Sequence, residues 1–204
     1  MGLDSIFFVI ILVISVVVHE VSHGYAALLL GDQTAKHAGR LTLNPLPHID
    51  PFGSIILPFI MSLLPGGIIF GWAKPVPFNP YNLRAGKWGP ALVALAGPVS
   101  NLIIAIVFGL GLRFFGISTI SSPAVIGLIQ MIVLLNIVLA IFNLIPVPPL
   151  DGSKILFALI PYKWRQVEEI LERYQLILLL LVIFFLVELV SPLMFWLFRL
   201  LTGM

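Results

Sequence analysis

Apolar residues run almost without interruption from residue 5 to residue 30, and the run breaks at Gly31-Asp32. A bilayer crossing needs about 20 consecutive apolar residues, so this stretch predicts a first spanning helix stopped by the Gly-Asp pair. Runs of comparable length follow at about 88–112, 123–145 and 174–201. Between the first and second runs the pattern changes. Arg40-Leu41-Thr42-Leu43 alternates as a short strand does, Asn44-Pro45-Leu46-Pro47 prevents a helix, and the apolar stretch 52–64 is short and contains Pro58. Beyond Pro65-Gly66-Gly67, residues 68–78 read as a proline-punctuated extended segment. The insertion 31–87 is therefore expected to hold a short re-entrant helix and small strands. Such backbone is tolerated at membrane depth only against protein or a wet cavity.

Near the end of the chain, Trp164, Val167, Leu171 and Tyr174 recur at helical spacing opposite Lys163, Arg165, Glu168, Glu169 and Glu172. This predicts an interfacial amphipathic helix over 162–173, leading into the last span. The expectation is one domain over 1–204. It is an all-α polytopic membrane protein with about four full transmembrane helices, a short re-entrant helix and a small β-strand insertion.

Composition sharpens this picture. The chain is 60% hydrophobic and 10% charged, with a mean hydropathy of +1.12, whereas soluble domains carry about 25% charged residues. Its partner is the lipid bilayer, and nothing suggests nucleic acid. There is no cysteine, so a metal must be held by His, Asp or Glu. The first run lacks a basic leader and a small-residue cleavage site, and it is expected to be a retained span. If the insertion does not cross, Lys36, Arg40, Lys74, Arg84, Lys87, Lys154, Lys163, Arg165 and Arg173 share one side, against Arg113 and Arg199 on the other. The positive-inside rule places the larger group in the cytoplasm of a cell (plasma) membrane and the N-terminus outside.

The chemistry sits in the first span, as His19-Glu20-Val21-Ser22-His23. On a helix, residues four apart share a face, so two imidazoles can converge on one metal ion with Glu20 beside them as general base. Ionisable groups in an apolar span are retained mainly where they line a functional cavity. A catalytic zinc normally has three protein ligands. Asp32, His37, His48 and Asp50 follow the pentad but lie on no extended helix. Asp151, after the third span, returns to the same depth as His23 and is the better third ligand, although before Gly-Ser-Lys it could also cap a short helix. His48 and Asp50 read equally well as turn-fixing residues, His37 as a solvated loop residue, and Asn101 as interhelical glue. Glu188, in mid-span, is a functional candidate by position.

His-Glu-x-x-His in the first span, Ala96-Gly97-Pro98-Val99-Ser100-Asn101 in the second and Asn143-Leu144-Ile145-Pro146-Val147-Pro148-Pro149-Leu150-Asp151-Gly152 after the third together resemble the site-2 protease family of intramembrane zinc metalloproteases. Asn44-Pro45-Leu46-Pro47-His48-Ile49-Asp50-Pro51-Phe52-Gly53 is similar to the compact prokaryotic branch without PDZ or CBS domains. The resemblance implies a zinc ion held by His19, His23 and Asp151, and Glu20 as catalytic acid and base. It also implies Asn143 near the substrate carbonyl as an oxyanion donor, and transmembrane protein substrates; the out-to-in course of the first and third spans separately puts the active site towards the cytoplasm. No regulatory membrane protein can be named. The rival reading is a zinc-binding transporter or sensor, for which Glu20 would be dispensable.

Overall fold

The computed structural model describes residues 3–56, 59–60, 71–116 and 122–204. The first apolar run forms helix α1 (Leu3–Leu29), which ends as the Gly-Asp pair predicts. Gly31 adopts a φ of +106° that glycine alone reaches without strain. Asp32 N–H then bonds Ala27 O and Gly31 N–H bonds Leu28 O, closing a Schellman turn. A one-turn helix, α2 (Thr34–His37), follows. The second run is α3 (Gly89–Gly111), continued by a π-helical turn (Leu112–Gly116), and the third is α4 (Pro123–Leu144). Among the described residues, three helical runs are long and apolar enough to cross a membrane: Ser5–Leu29, Gly86–Gly116 and Pro123–Leu144.

After α4 comes α5 (Asp151–Leu159), followed by α6 (Arg165–Arg173) in the place of the predicted amphipathic helix, and Lys154 on α5 pairs with Glu172 on α6 at 3.1 Å. The predicted fourth span is helical but not uniform. It consists of α7 (Gln175–Leu181), a π-helical turn (Val182–Leu186) and α8 (Val187–Thr202). Pro192 cannot donate to the carbonyl four residues back, that of Glu188, and the Ser191 hydroxyl donates to it instead at 2.9 Å.

The centre of the bundle is α3, which touches α1, α4, α5 and α8. Apolar burial drives little association between helices in lipid, so close packing has to supply it. Small residues allow the approach: Ala105 and Ala140 are fully buried, and Ala105 packs with Val133, Ile137, Ile141 and Met194. Arg113 at the far end of α3 donates to Leu200 O near the end of α8.

The predicted strands do not form a ladder among the described residues. Residues 71–78 are free of helix, but Trp72 N–H bonds Gly53 O on a π-helical turn and Lys74 N–H bonds His48 O on a 3-10 turn, neither of them a strand. Pro75 and Pro77 lack the donors that a ladder needs. Ile69 and Phe70, and residues 57–58 and 61–64 of the predicted re-entrant helix, lie outside the described residues. What is described of that helix is the π-helical stretch Pro51–Ile56 and residues 59–60.

Candidate metal centre

The spacing on α1 places His19 and His23 on one buried face, with ring centroids 4.6 Å apart and planes at 89°. Asp151, the first residue of α5, reaches both. Its Oδ2 lies 3.1 Å from His19 Nε2 and 3.3 Å from His23 Nε2. Leu150 holds the N-cap position of α5 and Asp151 follows it as the first helical residue, so Asp151 is not the N-cap.

The far side of each ring decides what this cluster can do. His23 Nδ1 lies 2.8 Å from Val93 O, and a carbonyl only accepts, so Nδ1 carries the proton. His19 Nδ1 lies 2.6 Å from Asn101 Oδ1. The Asn101 amide is oriented by donating Nδ2 to Ser15 O (3.3 Å) and to Asn136 Oδ1 (2.8 Å), which leaves Oδ1 to accept from His19. Both rings therefore present bare Nε2 lone pairs to Asp151 Oδ2, a buried atom with no hydrogen-bond partner among the described residues. Three acceptors facing one another repel unless a cation sits among them. Two ligand atoms each about 2.1 Å from an ion at a tetrahedral angle stand about 3.4 Å apart, close to the spacings observed. His19, His23 and Asp151 thus fit zinc in donor type, tautomer and separation.

Close backbone approach makes this possible. A Cβ on Gly97 of α3 would lie 2.5 Å from His23 Cε1 and Nε2 and 2.6 Å from His19 Cε1. A Cβ on Gly152 would lie 2.2 Å from Leu144 O, so glycine there lets the Asp151 turn close against the end of α4.

Glu20 faces the insertion rather than α3, and its Oε2 accepts the Val76 N–H at 2.9 Å. Asn143 Nδ2 donates to Leu139 O on its own helix at 2.9 Å. His48 Nε2 donates to Thr42 O, and Asp50 Oδ1 accepts from the Phe52 and Gly53 amides, so both hold turns in the insertion. His37 and Glu188 are exposed.

Sequence reasoning missed four contributors. Asn101 was expected only as glue between helices, yet it also fixes the His19 tautomer. Asn136 and Ser15 complete that arrangement, with Asn136 Nδ2 donating to Ser15 Oγ at 2.9 Å. Their signal was a polar residue in each of two apolar runs, Ser15 lying one turn before His19. The Val76 amide is backbone and leaves no signal in side-chain identity.

Outside the spans, Asp32 is fully buried and ties the end of α1 to the segment before α3. Burial pushes its carboxyl up. Hydrogen bonds from the Thr34 hydroxyl, the Asn82 amide and the Asn79 and Thr34 N–H groups outweigh this and hold it below the usual carboxylate range.

Comparison with known proteins agrees with this geometry. The model of peptidase family M50 matches residues 113–186, which contain Asn143 and Asp151 and lie downstream of the histidine pair. YwhC of Bacillus subtilis, designated a zinc metalloprotease, is 44% identical over 161 residues, covering 76% of this chain and 69% of its own. Rip2 of Mycolicibacterium smegmatis, with the same designation, is 34% identical over 142 residues, 68% of this chain and 51% of its own. The zinc metalloprotease MJ0392 of Methanocaldococcus jannaschii is 30% identical over 155 residues, 76% of this chain and 34% of its own. The chain thus spans about half the length of Rip2 and a third of MJ0392. No solved structure matches it. With a His-Glu-x-x-His pair and an aspartate converging inside a bundle of apolar helices, and with relatives of this kind, the chain belongs to peptidase family M50, the site-2 protease family of membrane zinc metalloproteases.

Proposed function

We propose that this protein hydrolyses peptide bonds within or near the transmembrane segments of membrane-protein substrates, at a site towards the cytoplasmic face of the cell membrane. The observation that carries the reading is the pair of Nδ1-protonated histidines aimed at an unpartnered aspartate oxygen inside spanning helices. His23 and His19 lie six and ten residues before the end of α1, about 9 and 15 Å at 1.5 Å per residue. This depth suits a bond near the end of a substrate helix.

His19, His23 and Asp151 hold the zinc ion. When bound, zinc supplies Lewis-acid chemistry, acidifying water and polarising a carbonyl. Glu20 takes the proton from the attacking water on its free oxygen, Oε1, and passes it to the leaving amine. Asn143 has two N–H protons and uses one on Leu139 O. The second is its donor to the developing oxyanion. A helical substrate must unwind first, because its carbonyls are otherwise hydrogen-bonded and wrapped in side chains. The unwound piece finds partners along the extended segment, at Gly71 and Ala73, which make no backbone hydrogen bond among the described residues. The arginine and lysine distribution supports the cytoplasmic placement.

Zinc content per purified chain tests the site. About one ion in the wild type, and far less in Asp151→Ala, is expected. Glu20→Gln should keep its zinc and lose cleavage of a reconstituted transmembrane substrate. Residual turnover near the wild-type rate in Glu20→Gln would refute the reading.

A further inference from the structure

The turn from Asn44 to Ser54 and the buried Arg40 have no place in the chemistry described so far, yet both end on the segment that reaches Glu20. Along residues 72–76, every second residue is bonded towards the same side. Trp72 N–H donates to Gly53 O at 3.2 Å, and Ser54 Oγ donates to Trp72 O at 2.8 Å. Lys74 N–H donates to His48 O at 2.9 Å, and Arg40 Nη2 donates to Lys74 O at 2.6 Å. Two residues further on, the Val76 N–H meets Glu20 Oε2 at 2.9 Å. This is the alternation of an extended chain, with one edge spent on protein contacts.

The register is locked by what lies between. A slip of one residue would bring Pro75 or Pro77 opposite Glu20, and neither has an N–H to offer. The side chain of Val76 is buried against Gly24, one residue after His23, where an added Cβ would lie 3.0 Å from Val76 Cγ1. Arg40 is only 7% exposed and is paired with no carboxylate among the described residues. Its Nη2 donates to the Lys74 and Pro75 carbonyls, and among the described residues its buried Nε has no partner. Burying a charge for two neutral acceptors is costly, which points to a use beyond stability.

We propose that residues 72–76 act as a splint whose register, set by Arg40 and the Asn44–Ser54 turn, delivers the Val76 amide to the Glu20 carboxylate, making Arg40 and Val76 positioning residues for proton transfer. The amide holds Oε2 and stops the carboxylate from rotating, so that Oε1 is left aimed for the proton. His48 gains a role through its carbonyl, and Asp50 through the turn it closes. The inference rests on the proteolytic reading. That reading is checked separately by wild-type cleavage that Glu20→Gln abolishes.

Val76→Pro removes the amide proton while leaving an extended chain, and Val76→Ala removes the side chain but keeps the proton. Cleavage of a transmembrane substrate in liposomes should show kcat lower in Val76→Pro than in Val76→Ala by on the order of 100-fold, the usual effect of a misplaced catalytic group. KM should change less than about 2-fold, and zinc should stay near one per chain in both. Arg40→Met should likewise lower kcat with zinc retained, and it should speed deuterium exchange at residues 72–76. Arg40→Lys, which can still reach the Lys74 carbonyl, should restore most of both. Equal kcat in the two Val76 variants would overturn the proposal. So would loss of zinc in Arg40→Met, which would make the arginine a support of the metal centre, or a rise in KM alone, which would make the segment a substrate edge only.

Discussion

Replacing Gly97 with alanine is the sharpest probe of how the metal centre is built. The added Cβ would lie 2.5 Å from two atoms of the His23 ring, where ordinary contacts are about 3.5–4.0 Å, so about 1 Å must be found. The ring cannot simply swing aside. Its Nδ1–H is held by Val93 O on the same helix that carries Gly97, at 2.8 Å. If α3 moves out by about 1 Å, that distance becomes about 3.8 Å, beyond any useful hydrogen bond. If the ring moves instead, Nε2 is displaced by several times the roughly 0.2 Å that a zinc site tolerates. Either route damages the metal centre.

The expected result is a stability loss of about 1–3 kcal/mol, typical of overpacking, together with a 10- to 100-fold loss in zinc affinity. Gly109→Ala separates the two effects. Its Cβ would lie 2.7 Å from Leu201 Cβ at the other end of α3, so it should cost comparable stability and leave zinc untouched. Thermal unfolding in detergent and zinc retention against a competing chelator read both quantities. Wild-type chelator resistance in Gly97→Ala would refute the claim that this contact shapes the site.

Asn101→Leu keeps the volume but removes the acceptor for His19 Nδ1, and zinc affinity should fall about 10- to 100-fold by the same chelator assay. Asn136→Ala, one step further out, should weaken zinc in the same direction by less. Asp32→Asn should destabilise the protein at neutral pH, because four donors converge on a carboxylate there. Its folded pKa is lowered, so the stabilisation is complete above the unfolded value of about 3.9 and is lost as pH falls through the lower folded value. The gap in unfolding temperature between wild type and variant should therefore hold steady from pH 7 to about 5 and close at more acid pH. A gap independent of pH would contradict it.

Spans, helix stops and the shared face of His19 and His23 were legible because each depends on side-chain type at a spacing. Gly31 terminates α1 through its φ, and the i, i+4 histidines meet because α1 is a helix. The strands were not legible for a physical reason. Arg40-Leu41-Thr42-Leu43 alternates in polarity, but what residues 72–76 bond is the turn backbone at His48 and Gly53, not a second strand. In the predicted fourth span Pro192 marks a missing helical bond, but that the Ser191 hydroxyl takes up the Glu188 carbonyl was not legible.

The polar groups inside the bundle explain why the reactive point lies where it does. Ser15, His19, His23, Asn101 and Asn136 are all buried among apolar helices, where a polar group without a partner costs roughly 1–3 kcal/mol by protein measurements. Each has found one: Asn136 binds Ser15 and Asn101, Asn101 binds His19, and Val93 O binds His23. Every one of these bonds points away from the two Nε2 atoms, so satisfying the network concentrates its remaining acceptor capacity at one place, opposite Asp151 Oδ2. A bundle selected for stability alone would have closed that gap with a donor or an apolar pair. This one keeps His19 Nε2 and His23 Nε2 within 3.3 Å of Asp151 Oδ2, an arrangement of lone pairs that fits a zinc ion.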